Sequence, residues 1–104
     1  MDRDELLRRI KAALREAFGE RLRGVVLYGS EARGDAAPDS DVDLLVLLDG
    51  PVDYGRELAT ALDAVYPLAL RTERRISAKP VNAQEYKSTE CPLYRAAHRE
   101  GVVI

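Results

Sequence analysis

The chain has 104 residues, a length that predicts one small domain spanning residues 1–104. Hydrophobic residues make up 46% of the sequence, which is enough to build a core. The 16 basic and 18 acidic residues give a net charge of −2, and this balance excludes a general polyanion binder, because nucleic-acid-binding domains usually carry a basic excess.

Cysteine use and hydropathy indicate a cytoplasmic protein that binds neither nucleic acid nor membrane. The chain has one cysteine, Cys91, which cannot form an intramolecular disulfide, and it has no Cys/His spacing typical of a metal site. The first ten residues are charged throughout, and no stretch approaches the roughly 18 apolar residues of a membrane span. A domain this small buries a modest fraction of its surface, so a protein partner or a homo-oligomer would stabilise it.

The first predicted element is a helix over residues 2–18. Leu6, Ile10, Leu14 and Phe18 recur every four residues, while arginines and acidic residues occupy the other positions. This amphipathic pattern is typical of a helix that covers one face of a sheet.

Residues 25–48 contain two apolar runs with strand character, and the second run opens with Asp41 and Asp43. Side chains two residues apart in a strand point to the same face, so both carboxylates project together, away from Val42, Leu44 and Val46. Two ionised carboxylates roughly 7 Å apart repel each other unless a cation binds between them. Two hard oxygen ligands suit Mg²⁺. The alternative is that both acids only mark the start of a strand on a solvated face.

The segment between the two runs has features of a phosphate site. Gly29 and Ser30 precede Glu31-Ala32-Arg33, which can form one helical turn with Ser30 as its N-cap. The free N–H groups of such a turn attract phosphate, and Gly29 allows close approach because it has no Cβ. Arg33 is positioned to add a charge-assisted contact.

The next elements follow from turn and helix signals. Residues 34–40 are rich in Gly, Pro and Asp and are predicted to be a loop that returns Asp41 beside Gly29. After a turn at Asp49-Gly50-Pro51, apolar spacing predicts a helix over residues 54–66, ended by Pro67. A strand within residues 72–81 would complete a crossover unit.

Together these motifs resemble a known family. Gly29-Ser30, ten intervening residues, then Asp41-Val42-Asp43 in an apolar strand is similar to the motif of the DNA-polymerase-β-like nucleotidyltransferase superfamily. The segment resembles its small prokaryotic branch, the minimal nucleotidyltransferases or MNT domains. The resemblance implies an α/β (α+β) nucleotidyltransferase fold, a short mixed β-sheet flanked by helices with an open carboxylate-bearing face. It also implies that Gly29 and Ser30 hold the nucleotide phosphates, and that Asp41 and Asp43 are catalytic and bind Mg²⁺.

One family feature is missing. Catalytically complete members carry a third carboxylate on the neighbouring strand, and the alignment places Ser77 at that position. By alternation Glu73 and Lys79 share the face of Ser77, but Glu73 is about 13 Å away along a strand. Lys79 is placed to neutralise carboxylates or phosphate, although a lysine on an edge strand is equally typical.

The end of the chain predicts two short helices, one starting near Ala83 and one at Pro92, a favoured first helical position. His98 lies in the second helix, where a surface or packing role is the simplest interpretation. Residues 102–104 are β-branched and apolar, so they form either a packed tail or an edge that binds a partner.

The resemblance implies transfer of a nucleotide, AMP from ATP or from another NTP as the nucleotide source, to an acceptor hydroxyl. No room remains in 104 residues for a second substrate-binding domain, so the acceptor is expected on another chain. In related toxin–antitoxin pairs the MNT protein neutralises a HEPN-domain ribonuclease by adenylylating a tyrosine. Two alternatives stay open: a non-catalytic binding subunit that lacks the third carboxylate, and an enzyme that modifies aminoglycoside-type small molecules.

Overall fold

The computed structural model describes residues 1–37, 39–88 and 91–104. The helices are α1 (Arg3–Phe18), α2 (Gly29–Arg33), α3 (Tyr54–Thr72), α4 (Ala83–Ser88) and α5 (Pro92–Glu100), and a 3-10 turn spans Gly19–Arg21. The strands are β1 (Leu22–Tyr28), β2 (Val42–Leu48), β3 (Ile76–Asn82) and β4 (Val102–Val103). None of the helices in these ranges combines the length and the apolar character needed to cross a membrane.

Helix α1 confirms the first sequence prediction. Its N-cap is Asp2, whose side chain accepts a hydrogen bond of 2.8 Å from the Glu5 N–H. Such a cap satisfies one of the free donors of the first helical turn. The apolar stripe predicted from the four-residue repeat is the buried face of the helix.

Over the described residues the strands form one four-stranded sheet in the order β3-β2-β1-β4. Strand β2 is antiparallel to β1 and parallel to β3, and β4 is antiparallel to β1. The predicted mixed sheet flanked by helices is therefore confirmed. The parallel pair is joined by α3, which makes the expected crossover unit.

Helix α3 is longer than predicted because Pro67 lies inside it instead of ending it. A proline inside a helix leaves the carbonyl four residues earlier, here that of Asp63, without its N–H partner. Asp63 and Pro67 are both exposed, so water can solvate that carbonyl. Val65, on the opposite side of the helix, stays buried in the core and keeps the helix on the sheet.

The end of the longer helix sets the start of the next strand. That strand was predicted to lie within residues 72–81, and β3 begins at Ile76 and ends at Asn82, one residue beyond that range. Glu73 ends α3 in a left-handed conformation (φ 55°), and its N–H bonds to the carbonyls of Ala69 and Leu70.

Different helices cover the two faces of the sheet. Val42, Leu44 and Val46 face the main core, which α1 and α3 complete. Leu45 lies on the opposite face, in a smaller core that α4 and α5 close. Asp43 shares this second face because it precedes Leu45 by two residues. The face that we expected to be open is thus partly covered, and Asp43 stays half-buried at the start of β2.

The C-terminal segment packs on the sheet. The ring of His98 stacks on Tyr86 with 4.1 Å between centroids, and His98 Nε2 lies 2.9 Å from the Tyr86 carbonyl oxygen, which fits the packing role. Val102 and Val103 pair with β1, although Val103 itself is 76% exposed. The tail therefore packs on β1 and also forms an outer strand of the sheet.

Candidate active site

Asp41 and Asp43 stand at the start of β2, the strand between β1 and β3. Asp43 is the second residue of β2, and its Cα pairs with those of Tyr28 on β1 and Ser77 on β3. Asp41 precedes the strand and is exposed. The loop of residues 34–40 leads to it as predicted, apart from Pro38, which is outside the described residues.

The pKa of the Asp43 carboxyl reports the electrostatics of the site. Burial raises this pKa above its usual range, the negative charge of Asp41 raises it further, and the ammonium group of Lys79 partly lowers it. The two carboxylates are therefore close enough to repel each other. The ionised form of Asp43 is disfavoured until another cation compensates for the lost solvent and for the repulsion.

The donor set fits Mg²⁺. Within the described part of the chain, no cluster of three or more acidic, histidine or cysteine side chains is placed to hold a metal ion. Mg²⁺ usually binds through one or two protein carboxylates and completes its shell with water and substrate phosphates. Asp41 and Asp43 supply that number of carboxylates.

Gly29 lies against the Asp43 carboxylate. Its φ of +75° is left-handed, and a Cβ built on it would be 2.6 Å from Asp43 Oδ2. Both the backbone conformation and the space therefore require glycine at this position. The structure thus brings Gly29, in the predicted phosphate-binding segment, against Asp43, one of the two predicted metal ligands.

The prediction that Ser30 is the N-cap of α2 is wrong. Strand β1 runs directly into the helix through the positive φ of Gly29, so helical bonding begins at Gly29, and Tyr28 is the N-cap. Among the described residues Tyr28 makes no side-chain cap bond. Ser30 lies within the first turn, and its carbonyl accepts the N–H groups of Gly34 and Asp35. Phosphate binding by Gly29 and Ser30 stays a prediction.

Arg33, the third predicted nucleotide-binding residue, ends α2 and pairs with two carboxylates. Its Nε lies 3.3 Å from Asp35 Oδ2, and its Nη1 lies 3.3 Å from Glu100 Oε2. These pairs are exposed and therefore weak. A contact between Arg33 and phosphate also stays a prediction.

The residues of β3 lie as the alignment predicted. Ser77 pairs with Asp43, so a hydroxyl stands where the family places its third carboxylate. Lys79 follows on the same face. Burial raises the pKa of Tyr28 above its usual range, and the charge of Lys79 and a hydrogen bond from it partly oppose that rise. Glu73 is exposed at the end of α3, three residues before the strand, and is not brought to this face.

A buried ion pair next to the site was not predicted. Arg74 Nη1 and Nη2 donate to the Glu31 carboxylate at 3.1 and 3.3 Å, although the two residues are 43 positions apart. Glu31 lies in α2 and is only 8% exposed. The sequence around each residue does not indicate the pair, because a charged residue in a short polar segment is usually solvated.

A cavity of about 550 Å³ adjoins the Lys79 side of the site. Apolar and aromatic side chains form much of its wall, including Tyr54, Leu93 and Tyr94. Its size falls in the range of small-ligand pockets.

Comparisons with known proteins agree with this geometry. The model of the nucleotidyltransferase domain family matches residues 7–98. "Putative protein adenylyltransferase MJ0604" of Methanocaldococcus jannaschii is 31% identical over 70 residues, which are 67% of this chain and 70% of the relative.

Solved structures share the fold. "Structure of putative minimal nucleotidyltransferase" aligns with a TM-score of 0.56 and 28% identity, over 98% of this chain and 95% of that chain. "Crystal structure of the toxin-antitoxin with AMP-PNP" aligns with a TM-score of 0.63 and 18% identity, over 90% of this chain and 68% of that chain.

The family match includes both parts of the site, Gly29-Ser30 and Asp41-Val42-Asp43, and the fold is that of the minimal members. The chain therefore belongs to the nucleotidyltransferase domain family and is a nucleotidyltransferase.

Proposed function

We propose that this nucleotidyltransferase transfers AMP from ATP to a hydroxyl group of a partner protein in a Mg²⁺-dependent reaction. The observation that carries the proposal is the contact of Gly29 with the Asp43 carboxylate, since it puts the segment proposed to hold phosphate beside a residue proposed to hold Mg²⁺. The name of the archaeal relative supports adenylyl transfer to a protein. The AMP-PNP named with the toxin–antitoxin structure supports an adenine nucleotide.

Each site residue has a role in this reaction. Gly29 and Ser30 hold the nucleotide phosphates, and Asp41 and Asp43 hold Mg²⁺. When bound, Mg²⁺ supplies positive charge that neutralises the phosphate oxygens during transfer. The acceptor oxygen forms a bond to the α-phosphorus. The bond between this phosphorus and the oxygen that bridges to the β-phosphate breaks, and pyrophosphate leaves. The acceptor proton passes to solvent. Positioning and charge neutralisation supply most of the rate in such reactions.

Ser77 influences which acceptor is suitable. A serine hydroxyl is a poor base at neutral pH, so this site gives little help in removing the acceptor proton. The phenol of tyrosine has a pKa of about 10 and loses its proton more readily than an aliphatic alcohol. We therefore favour a tyrosine acceptor. The cavity beside Lys79, walled by Tyr54, Leu93 and Tyr94, provides apolar space for its ring.

The partner that we propose is a HEPN-domain toxin, with this chain as its antitoxin. The fold is shared with a protein of a toxin–antitoxin complex, which supports a role of this kind. Modification of a tyrosine on the toxin would then neutralise it. Under this proposal the partner supplies the acceptor, and the present chain supplies the nucleotide and metal site.

The proposal is tested with the purified chain, ATP, Mg²⁺ and a candidate HEPN-domain toxin. Intact-mass spectrometry should show that the HEPN protein gains the mass of one AMP. Asp43→Asn should prevent the gain but still allow the two proteins to co-purify. Neither a complex nor a mass gain from the unaltered pair would contradict the proposal.

A second candidate, a non-catalytic binding subunit, is favoured by the serine opposite Asp43. In that case the parent chain should bind nucleotide and partner without transferring AMP. Transfer that arises only in Ser77→Asp would establish this second function. Transfer by the parent chain would exclude it.

A further inference from the structure

Arg74 lies at the junction between α3 and β3, and its side chain is only 13% exposed. Its guanidinium donates from Nη1 and Nη2 to the two carboxylate oxygens of Glu31, at 3.1 and 3.3 Å. The same group donates from Nε and Nη2 to the carbonyl oxygen of Ser40, at 3.0 and 2.8 Å. The planar fork of arginine suits such simultaneous contacts, which a lysine ammonium cannot reproduce.

The two partners of Arg74 belong to the two halves of the site. Glu31 is in α2, one residue after Ser30, and Ser40 directly precedes Asp41. The chain between them consists of the end of α2 and the loop of residues 34–40, and it separates the phosphate segment from the carboxylates. Arg74 therefore connects both ends of this segment. The neighbouring Arg75 adds to the connection, since its carbonyl accepts the Val42 N–H at 2.9 Å.

Stability alone is a poor explanation for this pair. Removing two charges from water is costly, and well-packed apolar residues often replace a buried ion pair without loss of stability. What an apolar pair would not reproduce is the directional hold on the Ser40 carbonyl. A second cation, Arg3, lies 3.7 Å from Glu31 Oε1, but its side chain is far more exposed at 47%.

We propose that Arg74 is a positioning residue that sets the separation between the Gly29-Ser30 segment and the carboxylates of Asp41 and Asp43. The inference rests on the proposed function, because it assigns the contact a purpose in holding nucleotide phosphates and Mg²⁺ together. Mutations of residues that orient metal ligands typically reduce metal affinity or activity by about 10–100-fold.

Arg21 provides a matched control at the opposite end of the sheet. Its Nη1 pairs with the buried Glu57 at 2.6 Å, and its Nη2 donates to the Pro51 carbonyl at 3.0 Å. Arg74→Lys and Arg21→Lys therefore make the same chemical change at two carboxylate–carbonyl contacts, although the Arg21 side chain is more exposed, at 39%. Of the two residues, only Arg74 connects the two halves of the candidate active site.

The experiment measures AMP transfer against Mg²⁺ concentration, together with thermal unfolding, for the parent and both variants. Arg74→Lys should raise the Mg²⁺ concentration for half-maximal transfer and lower kcat by about tenfold or more. Arg21→Lys should lower Tm but leave both values unchanged. An unchanged Mg²⁺ requirement in Arg74→Lys, or equal shifts in both variants, would overturn the inference.

Amide hydrogen exchange without nucleotide separates this inference from the proposed function. Arg74→Lys should speed exchange at the Asp35 and Ser40 N–H groups, which bond to the carbonyls of Ser30 and Ala37. Arg21→Lys should not. Faster exchange in Arg74→Lys, combined with no transfer by the parent chain, would support the positioning role and contradict the proposed reaction. Unchanged exchange would overturn the positioning role whatever the parent chain transfers.

Discussion

Asp43 occupies a position that disfavours its own ionised form. Its pKa is raised by burial and by the charge of Asp41, with partial compensation from Lys79. A raised pKa means that the folded state binds the proton more tightly than the unfolded state. Stability therefore falls as the pH rises from the ordinary pKa of Asp through the raised value, and the penalty is complete above it.

Asp43→Asn should consequently stabilise the metal-free protein at pH 7, because the amide resembles the protonated acid. The expected gain in unfolding free energy is about 0.5 kcal/mol or less, since water screens a half-exposed charge. AMP transfer should fall by at least about a hundredfold, because charge neutralisation is the main catalytic contribution. Urea unfolding at pH 7 and pH 3 measures the first effect, and the gain should shrink at the lower pH. A loss of stability at pH 7 would show that Asp43 is not strained.

Gly29→Ala tests the contact between the two halves of the site. The new Cβ would collide with Asp43 Oδ2, and the left-handed backbone would be strained as well. We expect a loss of about 1–2 kcal/mol in stability from the backbone, and a further fall in transfer of tenfold or more as the carboxylate moves.

Gly50→Ala is the control for Gly29→Ala. Its φ of +82° is similar, and among the described residues no atom lies within 4 Å of the position of its Cβ. It should therefore show the same backbone cost with normal transfer. Equal transfer by both variants would mean that the Gly29 contact has no part in the reaction.

At the scale of elements, regular local patterns were good predictors. The four-residue repeat of α1 depends on residues close together in sequence and agrees with the structure. The apolar strand that carries Asp43 was also predicted from neighbouring residues, although it begins at Val42, so Asp41 lies just before it. The start of α2 was misjudged because strand β1 runs directly into the helix at Gly29. The N-cap is therefore Tyr28 instead of Ser30.

Contacts between distant positions were not predictable. Glu31 and Arg74 become one buried pair only when α2 packs beside the junction of α3 and β3. Pro67 was expected to end α3, but the helix continues through it. It can do so because Asp63 and Pro67 lie on the exposed side of the helix, and the sequence near Pro67 does not show which side faces the core.

Pro67→Ala tests this explanation of α3. Alanine would restore the helical bond to the Asp63 carbonyl on an exposed face, so unfolding free energy should rise by about 1–3 kcal/mol. Transfer should be unchanged. Ala59→Pro, at another exposed position of α3, is the reverse control and should lose about 3 kcal/mol. Urea unfolding measures both variants, and a destabilised Pro67→Ala would show that the helix depends on its proline.

For the whole molecule, the balance between a small core and a charged site determines how it should respond to ligand. The radius of gyration is 12.9 Å, close to the value of about 13 Å expected for a compact fold of this length. A folded unit of this size has a small stability reserve. The repulsion between the two carboxylates lowers the free energy of unfolding further when no cation is bound.

Ligand binding should therefore raise stability strongly. At a hundred times its Kd, Mg²⁺ with a non-hydrolysable ATP analogue should add about 2.7 kcal/mol, which for a domain of this size raises Tm by about 10 °C or more. Differential scanning fluorimetry measures the shift, and EDTA should remove it. Asp41→Asn and Asp43→Asn should reduce the shift, because each removes a metal ligand, whereas Pro67→Ala should keep it on a higher baseline. A shift of the same size in both aspartate variants would mean that nucleotide binds elsewhere, and the assignment of this end of β2 as the metal site would then be wrong.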